Sequence, residues 1–127
     1  MIDRLISVVD DDESVRSATV DLLASLGFVC EAFTSGEAYL HSDAANRTSC
    51  LILDVRMPGL SGLELQRLLT DQGRLVPIIF ITSFPSGRVR RQAIKGGAIC
   101  YLAKPFSDDE LLRCIRLAFK ASEPTGH

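Results

Sequence analysis

What most limits how this chain can fold is a five-fold alternation of short apolar runs with segments of helical period. The runs are Leu5–Val9, Val29–Phe33, Cys50–Leu53, Pro77–Ile81 and Cys100–Ala103. Each has strand length, and Ile78-Ile79-Phe80-Ile81 is apolar on both faces, as a central parallel strand requires. After the first run, Glu13–Leu26 puts Val15, Ala18, Leu22, Leu23 and Leu26 on one helical face, and Gly27 stops it. Ser35–Ser42 reads as a short helix around Ala38, Tyr39 and Leu40. Ser61 and Glu64 have capping-box spacing and open a helix carrying Leu65, Leu68 and Leu69, which Gly73 ends. Gly87–Lys95 is a helix with Val89, Ala93 and Ile94 inward, bracketed by glycines and so the least stable of the set. Ser107 and Glu110 repeat the capping box before Leu111, Leu112, Ile115, Ala118 and Phe119. Strand then helix, five times, predicts an α/β fold: a parallel sheet covered on both faces, with right-handed crossovers.

At 127 residues the chain is the size of one domain. Residues 1–122 form it, and 123–127, with Pro124 and Gly126, read as a tail or the start of a linker. A net charge of -2 creates no field that favours nucleic acid or an acidic membrane. The basic cluster Arg88, Arg90, Arg91 and Lys95 reads as a solvated helix face. Cys30, Cys50, Cys100 and Cys114 form no CxxC pair, and His41 and His127 lie far from them, so zinc and redox patterns are missing. Cys30, Cys50 and Cys100 are expected as buried hydrophobes, and reduced thiols suit a cytoplasmic protein. The start shows no signal peptide, and no apolar run reaches membrane-spanning length.

Parallel strands deliver their carboxyl ends to one edge of the sheet, where ligands bind. Strand one runs into Asp10, Asp11 and Asp12; strand three into Asp54; strand four into Thr82 and Ser83; strand five into Lys104 and Pro105. A single Asp after a strand is usually a helix cap, and Asp12 suits that role. Carboxylates brought together repel and raise one another's pKa, which a hard divalent cation such as Mg²⁺ relieves. A phosphoryl group can then bridge the metal and Lys104, and a carboxylate nucleophile would form an aspartyl phosphate. No GxxxxGK[ST] loop is present to bind a nucleotide.

Val8-Val9-Asp10-Asp11-Asp12-Glu13, Leu53-Asp54-Val55-Arg56-Met57-Pro58-Gly59, Ile81-Thr82-Ser83 and Lys104-Pro105-Phe106 resemble the receiver domain of two-component response regulators. The resemblance covers roughly residues 4 to 120 and is strongest to FixJ-like regulators. It implies a flavodoxin-like, CheY-like sheet of order 2-1-3-4-5. It also implies phosphorylation of Asp54 by a sensor histidine kinase and metal ligation by Asp10, Asp11, Asp54 and the carbonyl of Arg56. Thr82 becomes the switch hydroxyl, Tyr101 the switch aromatic and Lys104 the phosphoryl-binding cation. A cis Lys104–Pro105 bond and a phosphorylation-dependent homodimer follow in the same way. The family's output is usually transcription, through a DNA-binding domain that these 127 residues do not include.

The sequence departs from the family after the switch hydroxyl, where Ser83-Phe84-Pro85-Ser86-Gly87 replaces a small, glycine-rich stretch. Two other readings compete. Asp10-x-Asp12 mimics a haloacid-dehalogenase-type phosphohydrolase, which leaves Asp54 unexplained. A docking module that is never phosphorylated would not need Asp11, Asp54, Thr82 and Lys104 all intact.

Overall fold

The computed structural model describes residues 4–122; the expected tail at 123–127 lies outside them. Five strands, β1 (Leu5–Val9), β2 (Val29–Phe33), β3 (Thr48–Asp54), β4 (Ile78–Thr82) and β5 (Cys100–Ala103), form one sheet. The order is β2-β1-β3-β4-β5, and every neighbouring pair is parallel. The helices are α1 (Glu13–Ser25), α2 (Gly36–Leu40), α3 (Gly62–Asp71), α4 (Gly87–Lys95) and α5 (Asp108–Ser122). A 3-10 turn at Asp43–Asn46, not anticipated from the sequence, follows α2. β3 begins two residues earlier than expected, and β4 runs one residue later.

Side chains alternate across the sheet with the strand period of two. Ile6, Val8, Cys50, Ile52, Ile79 and Ile81 pack with Leu23 of α1 and with Leu111, Ile115 and Phe119 of α5. Val9, Leu51, Leu53, Ile78 and Phe80 pack with Tyr39 of α2, Leu65 and Leu69 of α3 and Ala93 of α4. The two apolar layers hold β1, β3 and β4 rigidly between them, and these strands carry three of the four segments of the polar edge. Both capping boxes form: Ser61 with Glu64, and Ser107 with Glu110, each pairing side chain and backbone in both directions.

Several inward assignments need correction. In α1 the buried residues are Thr19 and Leu23, with Val15 and Leu22 half-buried, while Ala18 and Leu26 are exposed. The helix is rotated so that Thr19 faces inward, its hydroxyl donating to the Val15 carbonyl at 2.8 Å. Leu26 lies past the last helical turn, where Gly27 reverses the chain at φ 86. In α3 Gln66 is buried and Leu68 is exposed, because the Gln66 amide donates to the Ala93 carbonyl of α4 at 3.0 Å. α4 rests on Ala93 and the half-buried Val89, one turn apart, which turns Ile94 outward. Cys50 is buried, but Cys30 and Cys100, on the two edge strands, are only half-buried; Cys114 of α5 is buried instead. Tyr39 is fully buried because its hydroxyl donates to Thr48, which also meets Ser7 at 2.8 Å.

Candidate functional site

β1, β3, β4 and β5 end together, as the parallel topology demands, and each delivers polar side chains to the same edge. The run after β1 divides into three roles. Asp10 is fully buried, and its Oδ1 accepts from the Asp12 backbone N–H at 2.9 Å. Asp11 is exposed toward the cleft. Asp12 caps α1, accepting from the N–H groups of Ser14 and Val15 at 2.9 and 3.3 Å, as the sequence suggested. Arg16, not anticipated from the sequence, reaches back six residues, past the start of α1, and donates to the Asp10 carbonyl at 2.8 Å. Its place four residues after the capping Asp12 was the available signal.

Asp54 ends β3 with its side chain only 8% exposed. Its carboxyl is pushed up from 3.8 to about 6, first by burial and then by the charge of Asp10, with Lys104 pulling the other way. The Lys104 ammonium stands 2.9 Å from Asp10 Oδ2 and 3.5 Å from Asp54 Oδ1. The Lys104–Pro105 peptide is cis, and the Lys104 N–H donates to the Thr82 carbonyl at 2.7 Å. Gly62 lets α3 pack directly beneath β3: a Cβ there would overlap the carbonyl oxygen of Asp54.

Thr82 is buried, and its hydroxyl oxygen accepts from the Phe84 N–H at 3.0 Å, leaving the hydroxyl proton free to donate. Phe84 is 63% exposed at the rim. The Arg56 guanidinium lies 4.9 Å from the Phe84 ring centroid, so its side chain bridges the loops after β3 and β4 rather than turning to the acids. Tyr101 stands apart from the acidic cluster; its hydroxyl accepts from the Ser86 N–H at 3.1 Å, just before α4. Ser86 itself caps that helix through the Val89 N–H.

One carboxylate oxygen from each of Asp10, Asp11 and Asp54 lies within 4.8 Å of the others. Lys104 supplies a single positive charge against three potential negative ones. An all-oxygen donor set with excess negative charge fits a hard cation such as Mg²⁺. The four cysteines are free, and among the described residues no His/Cys cluster joins this set.

A parallel sheet of this order, with an acidic cleft and a lysine across from it, has the arrangement of a receiver domain. The family model for the response regulator receiver domain matches residues 6–116, and the chain belongs to that family. It is 43% identical over 116 residues to the response regulator protein TodT of Pseudomonas putida, covering 91% of this chain and 51% of that protein. It is 37% identical over 121 residues to the transcriptional regulatory protein FixJ of Bradyrhizobium diazoefficiens, covering 95% and 59%. The chain spans about half the length of the curated relatives it matches. The structure of FixJ-N superposes with a TM-score of 0.86 at 35% identity, covering 94% of this chain and 96% of that one. That of response regulator StyR does so with 0.86 at 40% identity, covering 94% and 61%. The FixJ-like character read from the motifs is therefore confirmed.

Proposed function

We propose that this receiver takes a phosphoryl group from a sensor histidine kinase onto Asp54, in a Mg²⁺-dependent reaction, and changes its partner-binding surface in response. The observation that carries the reading is the placement of Lys104 between Asp10 and Asp54, at 2.9 and 3.5 Å, beside three converging carboxylates. Asp54 attacks phosphorus through a carboxylate oxygen, and the bond from phosphorus to the donor imidazole breaks. Lys104 would bind one phosphoryl oxygen, and Thr82 would donate its hydroxyl proton to another. Asp10, Asp11, Asp54 and the Arg56 carbonyl would hold Mg²⁺, which neutralises charge on the transferring group. The domain is a switch that promotes its own phosphorylation and dephosphorylation rather than an enzyme acting on a separate product.

Output belongs to the face built by α4, β5 and α5. Thr82 can follow a phosphoryl oxygen only if the loop after β4 moves, and that loop carries Ser86, the partner of the Tyr101 hydroxyl. Release of Tyr101 then repacks the edge strand against α4, whose inward contacts are few. A phosphorylation-dependent homodimer through this face, and control of transcription by a DNA-binding domain outside residues 1–127, complete the reading. In this reading residues 1–122 make up the receiver, and 123–127 a tail or the start of a linker. A cytoplasmic location belongs to the same proposal, supported by the free thiols.

Incubation with acetyl phosphate, followed by intact-mass measurement, tests the chemistry. One phosphoryl group is expected with Mg²⁺, and none with the metal chelated or in Asp54→Asn. Efficient labelling under chelation would overturn the reading.

A further inference from the structure

We propose that Glu37 is a positioning residue for the phosphorylation site. From α2 it holds the loop between β3 and α3 through the Leu60 amide, and so constrains the backbone of Arg56, whose carbonyl would be a metal ligand under the proposed function. The inference rests on the reading of Asp54 as a Mg²⁺-dependent phosphoacceptor.

Glu37 and Leu60 are 23 residues apart in the chain, yet Glu37 Oε2 accepts from the Leu60 N–H at 3.2 Å. Both flanking backbones are shaped for the contact. Gly59 has φ 76, and a Cβ there would stand 2.7 Å from the same Glu37 oxygen. A Cβ at Gly36 would press against Leu60 Cδ2 at 3.1 Å. Gly36 and Gly59 leave room for the Leu60 and Glu37 side chains to lie against the opposite segment's backbone.

The loop needs such a tie. At its base the Gly62 N–H donates to the Val55 carbonyl at 2.9 Å, and Met57 is buried in the core. Pro58 has no N–H to donate, and Gly59 leaves the tip conformationally permissive. Glu37 Oε2 supplies the acceptor for the Leu60 N–H there. Arg56 lies within this closed loop, two residues after Asp54. Partners that orient a metal's ligands affect affinity although they never touch the ion.

Glu37→Ala and Glu37→Gln distinguish this role from a general structural one, because the Gln carbonyl can still accept from Leu60. Titration of metal-free protein with Mg²⁺ by calorimetry, and hydrogen exchange at the Leu60 amide, are the two readouts. Glu37→Ala is expected to weaken Mg²⁺ binding roughly 10-fold, near the low end for such partners because the contact is exposed. It should also lose Leu60 protection, with an unchanged metal-free unfolding midpoint. Glu37→Gln should restore both. If wild type binds Mg²⁺ and Glu37→Ala binds it equally well, this proposal alone is overturned. Failure of Glu37→Gln to rescue also overturns it, by assigning the effect to charge. If wild type binds no Mg²⁺, the phosphoacceptor reading falls and takes this proposal with it.

Discussion

Replacing Asp54 by Asn should stabilise the metal-free domain near neutral pH and give little advantage in acid. Burial and Asp10 raise the Asp54 carboxyl from 3.8 to about 6 in the folded state. Between these values the native protein binds more protons than the unfolded chain, so stability falls as pH rises through that window. Above it the whole deficit is present. The shift converts to about 3 kcal/mol of lost stability. That figure already includes the attraction of Lys104 for Asp54; Asn removes the charge but leaves a buried amide whose hydrogen bonds must be met, so a net gain of about 1–2 kcal/mol is expected. For a domain of this size that is roughly 5 °C in unfolding midpoint. Urea unfolding in a chelating buffer, followed by circular dichroism at about pH 7.5 and about pH 4, measures both ends of the window. Added Mg²⁺ should narrow the gap at the higher pH by stabilising wild type and not the variant. If Asp54→Asn has the same advantage at both pH values, or none at either, the Asp54 carboxylate is not held under electrostatic stress and the reasoning is refuted.

Three further outcomes follow from the same geometry. Asp11→Asn should weaken Mg²⁺ binding by roughly 10-fold or more, whereas Asp12→Asn should leave it nearly unchanged, because Asp12 is committed to capping α1 and Asn caps equally well; equal losses in a metal titration would contradict this division of the acidic run. Phe84→Ala should speed loss of the aspartyl phosphate several-fold by opening the rim that Phe84 and Arg56 close at 4.9 Å, an energy on the order of one cation–π contact; the decay of phosphorylated protein by mass spectrometry checks it, and an unchanged lifetime in both Phe84→Ala and Arg56→Ala would remove these residues from any gating role. Gly62→Ala should destabilise the fold by about 2–4 kcal/mol, since its Cβ would overlap the Asp54 carbonyl oxygen; a variant with wild-type stability would show that α3 can retreat from β3 without cost.

Much of the fold and the site was legible from residue order. Strand-length apolar runs alternating with helical periods leave few arrangements besides a covered parallel sheet, and parallel strands must end on one edge. Asp10, Asp54, Thr82 and Lys104 could therefore be grouped from the residues that follow each run. The Asp12 cap and both capping boxes were equally readable, because their partners lie within four residues. What the tertiary structure decided is of another kind. A helical stripe specifies a period but not the angle at which the helix rests, so Thr19 faces inward where Ala18 was expected, and Ile94 and Leu68 face out. Burial of a polar side chain depends on a partner from a distant element. Gln66 enters the core only because the Ala93 carbonyl, 27 residues away, meets it, and Tyr39 only because Thr48 and Ser7 share its hydroxyl network. The raised Asp54 carboxyl and the hold of Glu37 on Leu60 have the same origin. Each is a property of distances between chain segments, which packing of the two apolar layers sets and residue order alone does not contain.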